Sequence, residues 1–207
     1  PRSIVVTGQT VSISAAAITV NGAPASVGDL RVGMVVALDG RVNADGTATA
    51  TSVSYSAEII GVIDGVDATA RTVTLLGQRV RTDGLTVFEG GTFEALLGQK
   101  VEVSGLRSGP ADLYASWIRV SAEAPPAIVP VEVVGTVSSL DTTARRFAVG
   151  TQAVDYAGMA PASVPGGLAN GASVRVTGSV PAAGGTVTAT AITVVVAPLP
   201  GQNAQRV

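Results

Sequence analysis

Three blocks of one design recur along this chain of 207 residues: "GMVVALDG" at 33–40, "GQKVEVSG" at 98–105 and "GASVRVTG" at 171–178. Each reads Gly-x-x-Val-x-[Val/Leu]-x-Gly. A repeat of this kind constrains the fold strongly, because each copy must bury its apolar face within itself or against its neighbours. Alternating apolar positions between two glycines predict a half-buried strand with a turn at each end. About ten residues on, a second strand recurs as "ATSVSY" (50–55), "ASWIRV" (115–120) and "ATAITV" (189–194). Its fourth and sixth positions are always apolar: Val53 and Tyr55, Ile118 and Val120, Ile192 and Val194. A period of two places each pair on one face.

Upstream of these blocks, "GVIDGVDATAR" (61–71) and "GTVSSLDTTAR" (135–145) share a layout 74 residues apart. The reading is strand, turn, returning strand. Asp67 and Asp141 suit the turn because a short carboxylate accepts bonds from amides just ahead of it. Arg71 and Arg145 are expected to flank those carboxylates. A structural turn is preferred over a duplicated acidic site. In the first copy the corresponding hairpin is read as "GQTVSISAAAITVNG" (8–22), shortened and without the Asp and Arg. Between the third and fourth strands of the second copy lies "GGTFEALLGQ". Thr92 as N-cap, Glu94 in the first turn and Gly98 as the stop predict one helical turn there.

Composition agrees with strands. The chain is 46% hydrophobic but 3% aromatic, with 25 Gly and 11 Pro. The fold class expected is all-β: three tandem five-stranded OB-like barrel modules, with a single large sandwich as the alternative. Module boundaries are expected at 1–56 (shortened first hairpin), 57–121 and 131–197. A proline-rich spacer, "AEAPPAIVP" at 122–130, is expected between the second and third modules, and a C-terminal tail at 198–207. Modules one and two, joined without a breaker, are expected to dock.

The arrangement resembles a bacterial repeat family known only as domain of unknown function 5666. The resemblance rests on the initial Gly-x-[Ile/Val] strand, the central "DLRVGMVVALDG" or "LLGQKVEVSG" block, and the closing Ala-x-x-[Val/Ile]-x-[Val/Tyr] strand, from about Gly8 to Val196. It implies exported or envelope-associated OB-like modules without assigned catalysis, and it carries over no functional residue. A location outside the bacterial cytoplasm (extracellular, cell surface or periplasmic) follows from the resemblance, and requires an export signal encoded upstream of Pro1.

The residue inventory narrows the chemistry. Neither histidine nor cysteine occurs, which removes the commonest general base, the commonest metal ligand and thiolate chemistry. The one lysine, Lys100, is expected to point outward from its strand into solvent. Asp64 and Asp67 are the nearest carboxylate pair and lie at a tight turn. "NADGTA" (43–48) lacks the spaced carboxylates of a calcium loop. No catalytic residue, cofactor or metal is expected, and the chain is read as a non-enzyme. Thirteen basic against fifteen acidic residues, and seven aromatics in all, argue against nucleic acid. No apolar run reaches the 18–20 residues of a membrane span.

Candidate interface residues are Trp117, Arg119, Ile4, Val5 and Val6. Trp117 and Arg119 share the outward face of "ASWIRV", where the other copies carry Ser52 and Ser54, or Ala191 and Thr193. A tryptophan there needs a cover: a neighbouring module or the proline segment first, another protein or a glycan second. "SIVV" (3–6) and "AITVVV" (191–196) are apolar segments able to pair with a neighbour's open edge. The function expected is a structural or adhesive envelope protein that self-associates or meets another envelope protein, including a homopolymeric fibre subunit. The alternatives are a carbohydrate- or ligand-binding module and an accessory subunit of a larger complex.

Overall fold

The computed structural model describes residues 2–6 and 8–195, together with the backbone of 205–206. The chain is all-β, its only helical pieces among the described residues being single 3-10 turns. It divides into two compact units, one formed by residues 1–57 with 198–207 and the other by 58–197.

In the first unit, β1 (Ser3–Val6), β2 (Gln9–Ser12), β3 (Ala17–Val20), β4 (Ala23–Pro24), β5 (Val35–Val42) and β6 (Ala48–Tyr55) form one sheet system. β6 is central. β5 pairs with it antiparallel on one side, while β2 and then β3 pair with it parallel on the other. Val6, Val11, Ile13, Ile18, Met34, Val36, Val53 and Tyr55 are buried. The outer edge of β5 pairs with a two-residue strand, Gln205–Arg206.

The second unit begins with β7 (Ile59–Val62), β8 (Gly65–Asp67), β9 (Thr72–Leu75), β10 (Gln78–Arg81), β11 (Val87–Glu89), β12 (Lys100–Gly109) and β13 (Asp112–Val120). β8 pairs with β9 and β9 with β10. β10 and β11 run parallel to β13, β13 pairs with β12, and β12 returns to β7. The ring of pairings therefore closes on the β7–β8 segment. The same order repeats with β14 (Ile128–Asp141), β15 (Arg146–Val149), β16 (Gln152–Asp155), β17 (Ser173–Pro181) and β18 (Val187–Val194).

The two rings are fused. β7 pairs antiparallel with β14, Ile59 opposite Val133 and Ile60 opposite Glu132. One apolar core runs through both rings, from Ile59 and Leu75 to Val174 and Ile192. The proline-rich segment is thus not a spacer between two bodies. Ile128–Pro130 already belong to β14 and pair with Ser179–Pro181, and Val129 is fully buried. The boundary between the two compact units falls after Ala57, one residue beyond the end expected for the first module.

The two glycines of the repeat do different work. Gly33, Gly98 and Gly171 have φ of 94°, 75° and 86°, the left-handed region that a turn into the strand requires. Gly40, Gly105 and Gly178 are not in turns at all, since β5, β12 and β17 continue past them. Each lies at a bulge, where the partner strand carries one extra residue: Thr51, Ser116 or Thr190. A Cβ on these glycines would come within 2.4, 2.2 and 2.2 Å of Thr49, Tyr114 and Thr188 carbonyl oxygens, so only glycine fits. Each extra residue donates its hydroxyl across the bulge: Thr51 to Asp39 O (3.1 Å), Ser116 to Ser104 O (3.2 Å) and Thr190 to Thr177 O (3.2 Å).

The first module is also built differently from the expectation. Arg2 to Gln9 matches Arg71 to Gln78 and Arg145 to Gln152 at equal spacing. The pairings agree: Ile4 opposite Val11, Val73 opposite Val80, Phe147 opposite Val154. β1–β2 is therefore the counterpart of β9–β10 and β15–β16, the second hairpin of a module and not a shortened first one. The expected helical turn is present as a 3-10 turn over Phe93–Ala95, with Gly98 at φ 75° beyond it.

Candidate functional site at the joint of the fused modules

The turns that precede β9 and β15 behave as local chemistry dictates. Asp67 Oδ1 accepts from the amides of Thr69 and Ala70 at 2.9 Å, and Asp141 Oδ1 accepts from Thr143 (2.9 Å) and Ala144 (2.8 Å). Arg71 and Arg145 close these turns with φ of 53° and 55°. Their side chains do not flank the aspartates. Arg71 lies over the Phe93 ring, 4.5 Å from its centroid. Arg145 lies over Tyr156 and donates to the carbonyls of Ala157 and Met159.

Fusion of the rings creates a polar joint. Glu58, just ahead of β7, accepts from Arg107 Nε at 3.0 Å. Arg107 also donates to Gln78 Oε1 at 3.0 Å and to the carbonyl of Val134. Gln78 in turn donates to Val149 O at 3.1 Å and is 1% exposed. This chain of bonds crosses from one ring to the other. Burial disfavours the charged guanidinium of Arg107 and lowers its pKa, with Glu58 acting the other way. Nearby, Thr151 N donates to Gly77 O across the joint.

Beside that network a groove of about 560 Å³ opens, lined by Asp64, Thr74, Gly77, Gln78, Arg79, Ala111, Asp112, Thr151 and Gln152. Thr74 Oγ1 donates to Asp64 Oδ1 at 2.5 Å. Arg79 Nε donates to Asp112 Oδ1 at 2.6 Å, and Arg81 stands 3.8 Å away. The hydrogen bond from Arg79 holds the Asp112 carboxyl below the usual carboxylate range and raises Arg79 in return. A second recess of about 240 Å³ shares Asp64 and Gln152 and adds apolar walls from Val62, Ile63, Leu76, Leu97 and Val180. The groove thus presents two carboxylates, Asp64 and Asp112, the Arg79 guanidinium paired with Asp112, and the amide of Gln152, beside an apolar shelf. That set can hydrogen-bond a polyhydroxylated or amide-bearing ligand.

Of the residues singled out in the sequence, Asp64 lines the groove, whereas the interface candidates lie elsewhere. Trp117 is 1% exposed; its indole donates to Glu89 Oε2 at 3.1 Å, and the Arg119 guanidinium lies 5.6 Å from the ring centroid. Arg119 also pairs with Glu102, which is itself buried. The tryptophan is therefore covered, and Glu89 comes from β11 of its own module. Ile4 is half-buried, Val5 is 56% exposed and Val6 is fully buried, all within β1. "AITV" of the second apolar segment is part of β18, paired with β17; Val196 lies outside the described residues, as do 198–204 and 207 of the C-terminal tail. Lys100 is partly buried on β12, opposite Val62.

The glutamine of the groove had a sequence signal: Gln9, Gln78 and Gln152 hold one repeat position. Their surroundings differ. Gln78 is locked in the joint, Gln152 donates to Gly185 O at 2.7 Å, and Gln9 is exposed on β2.

Among the described residues no group of three or more acidic side chains is placed to hold a metal ion, and no helix is long and apolar enough to cross a membrane. No curated protein and no solved structure matches the chain. A family model does match, over residues 1–54 and 60–119, and its description is Domain of unknown function (DUF5666). That match takes in more than half of the sequence and falls on the first two modules in register with the repeat, so the chain belongs to the DUF5666 family.

Proposed function

We propose that this chain is a non-catalytic array of OB-like modules with a structural or adhesive role at the bacterial cell envelope. The OB-like reading is supported by the pairing order in the second unit. Numbering each module's strands one to five, one pairs with two, two with three, three runs parallel to five, five pairs with four, and four returns to one. The observation that carries the structural role is the fusion of two modules through β7 and β14 into one sheet with one core. A joint of that kind suits a protein whose task is to hold shape under load, because no flexible hinge separates the modules. Glu58 is paired with Arg107, Asp112 with Arg79, and Asp64 accepts from Thr74, an engagement that suits a scaffold better than a reaction centre.

A ligand-binding role is the second reading, favoured by the groove at Asp64, Arg79, Asp112 and Gln152. The two readings part on two measurements. Fractionation of cells expressing the full-length gene should place the protein in the envelope or medium. Calorimetric titration with neutral oligosaccharides should give no heat if the role is structural. Saturable binding lost on Asp64→Asn would establish the ligand reading, and cytoplasmic recovery would sink the envelope one.

A further inference from the structure

We propose that Gln205–Arg206 take the first-strand place of the N-terminal module, covering the edge of β5 in cis. The argument is one of register. In the second module β12 is covered by that module's own first strand, with Val101 opposite Gly61 and Lys100 opposite Val62. In the third, β17 is covered in the same way, with Val174 opposite Gly135 and Ser173 opposite Thr136. Val36 and Val35 hold the equivalent positions on β5, three and two residues after the opening glycine of the repeat. Their partners are Gln205 and Arg206, antiparallel and in the same register. Because β1 is the counterpart of β9 and β15, no counterpart of their first strand lies among the described residues of 2–57, and Gln205–Arg206 stand where that strand runs in the other two.

The physical need is clear. An uncovered edge of β5 presents a row of backbone donors and acceptors, a template for pairing with any extended chain. In the other modules the protein meets that need within the module. Here it is met from the far end of the sequence, and the edge of β5 is a strand-acceptor site with a specified occupant. This inference does not rest on the envelope role. It also differs from fibre formation, since a donor used in cis is withdrawn from neighbours.

Amide exchange tests it, comparing the full chain with a version ending at residue 197 and with the double variant Gln205→Pro/Arg206→Pro. Successive residues of an antiparallel strand point their N–H groups to opposite sides, so one of the two prolines removes a donor whichever faces β5. Exchange across 33–38 should rise roughly tenfold in both variants, the size expected from one or two lost ladder bonds, while 98–103 on β12 stays unchanged. A synthetic 198–207 peptide added to the truncated chain should restore protection. If truncation unfolds the whole first unit, rescue by the peptide still supports the proposal, and failure to rescue overturns it. Unchanged exchange at 33–38 overturns it too. So does protection that depends on protein concentration, or transfer of the strand between copies in a mixture of labelled and unlabelled chains.

Discussion

Ile59 and Val133 occupy the same position in two successive modules, 74 residues apart, and lie directly opposite each other in the sheet that joins them. Antiparallel pairing of equivalent residues means that the second and third modules are related by a local two-fold axis through that pair. The contact of Gly77 with Thr151, another equivalent pair, obeys the same symmetry. Both Ile59 and Val133 are fully buried. Ile59→Ala should therefore cost about 2–5 kcal/mol, and it should do so for both modules together. Urea unfolding of residues 58–197 is expected as one transition. Two separated transitions would show that the modules fold independently and that the shared core is energetically weak.

The bulge pairs should be sensitive to single atoms. Gly105→Ala puts a methyl 2.2 Å from Tyr114 O, where only backbone movement can relieve it. A loss of about 1–3 kcal/mol is expected. Ser116→Ala, at a residue 1% exposed, removes the donor to Ser104 O and should cost about 1 kcal/mol. Gly178→Ala and Thr190→Ala should repeat the pattern in the third module, Thr190 less strongly because it is exposed. Chemical denaturation at constant m-value checks all four.

Trp117, the single tryptophan, gives a direct readout of burial. Its emission should be blue-shifted and resist quenching by iodide, a result opposite to that of an exposed interface residue. Trp117→Ala should destabilise by about 3–5 kcal/mol. Glu89→Gln keeps an acceptor for the indole N–H, so it should shift the spectrum slightly and leave the fold intact.

Two carboxylates of the second unit contribute to acid sensitivity. Asp112 is lowered first by the hydrogen bond from Arg79, and Asp155 first by the amide of Ala157 and then by Arg146. A depressed folded-state pKa stabilises above the unfolded value, and that contribution is lost as pH falls through the folded one. Stability should therefore be flat near neutrality and decline below the ordinary aspartate value of 3.8. Asp112→Asn should flatten part of that decline. Thermal melts from pH 6 to pH 2 measure it, and high salt should shrink the difference because these pairs lie near solvent.

What the sequence by itself determined is what a few neighbouring residues can decide. The period of two in the repeated blocks, the Asp67 and Asp141 turns, the break at Gly98 and the all-β class follow from backbone preferences and side-chain bonds spanning two or three residues. The positions of Trp117 and Arg119 on one face were also legible, but not what covers them, since β11 reaches Trp117 only through pairing with a segment about thirty residues away. Tertiary structure alone decided which strands meet. Val- and Thr-rich segments of similar pattern are nearly interchangeable as partners, so nothing local distinguishes a spacer at 122–130 from the start of β14. For the same reason β1–β2 could be read as a first hairpin when its partners make it a second one. The closing glycine of each repeat reads as a turn from its neighbours. Only the carbonyl brought against it by the opposite strand reveals a bulge. The joint at Gln78, Arg107 and Glu58 depends in the same way on long-range pairing, which places three residues spread over 49 positions of sequence into one hydrogen-bonded chain.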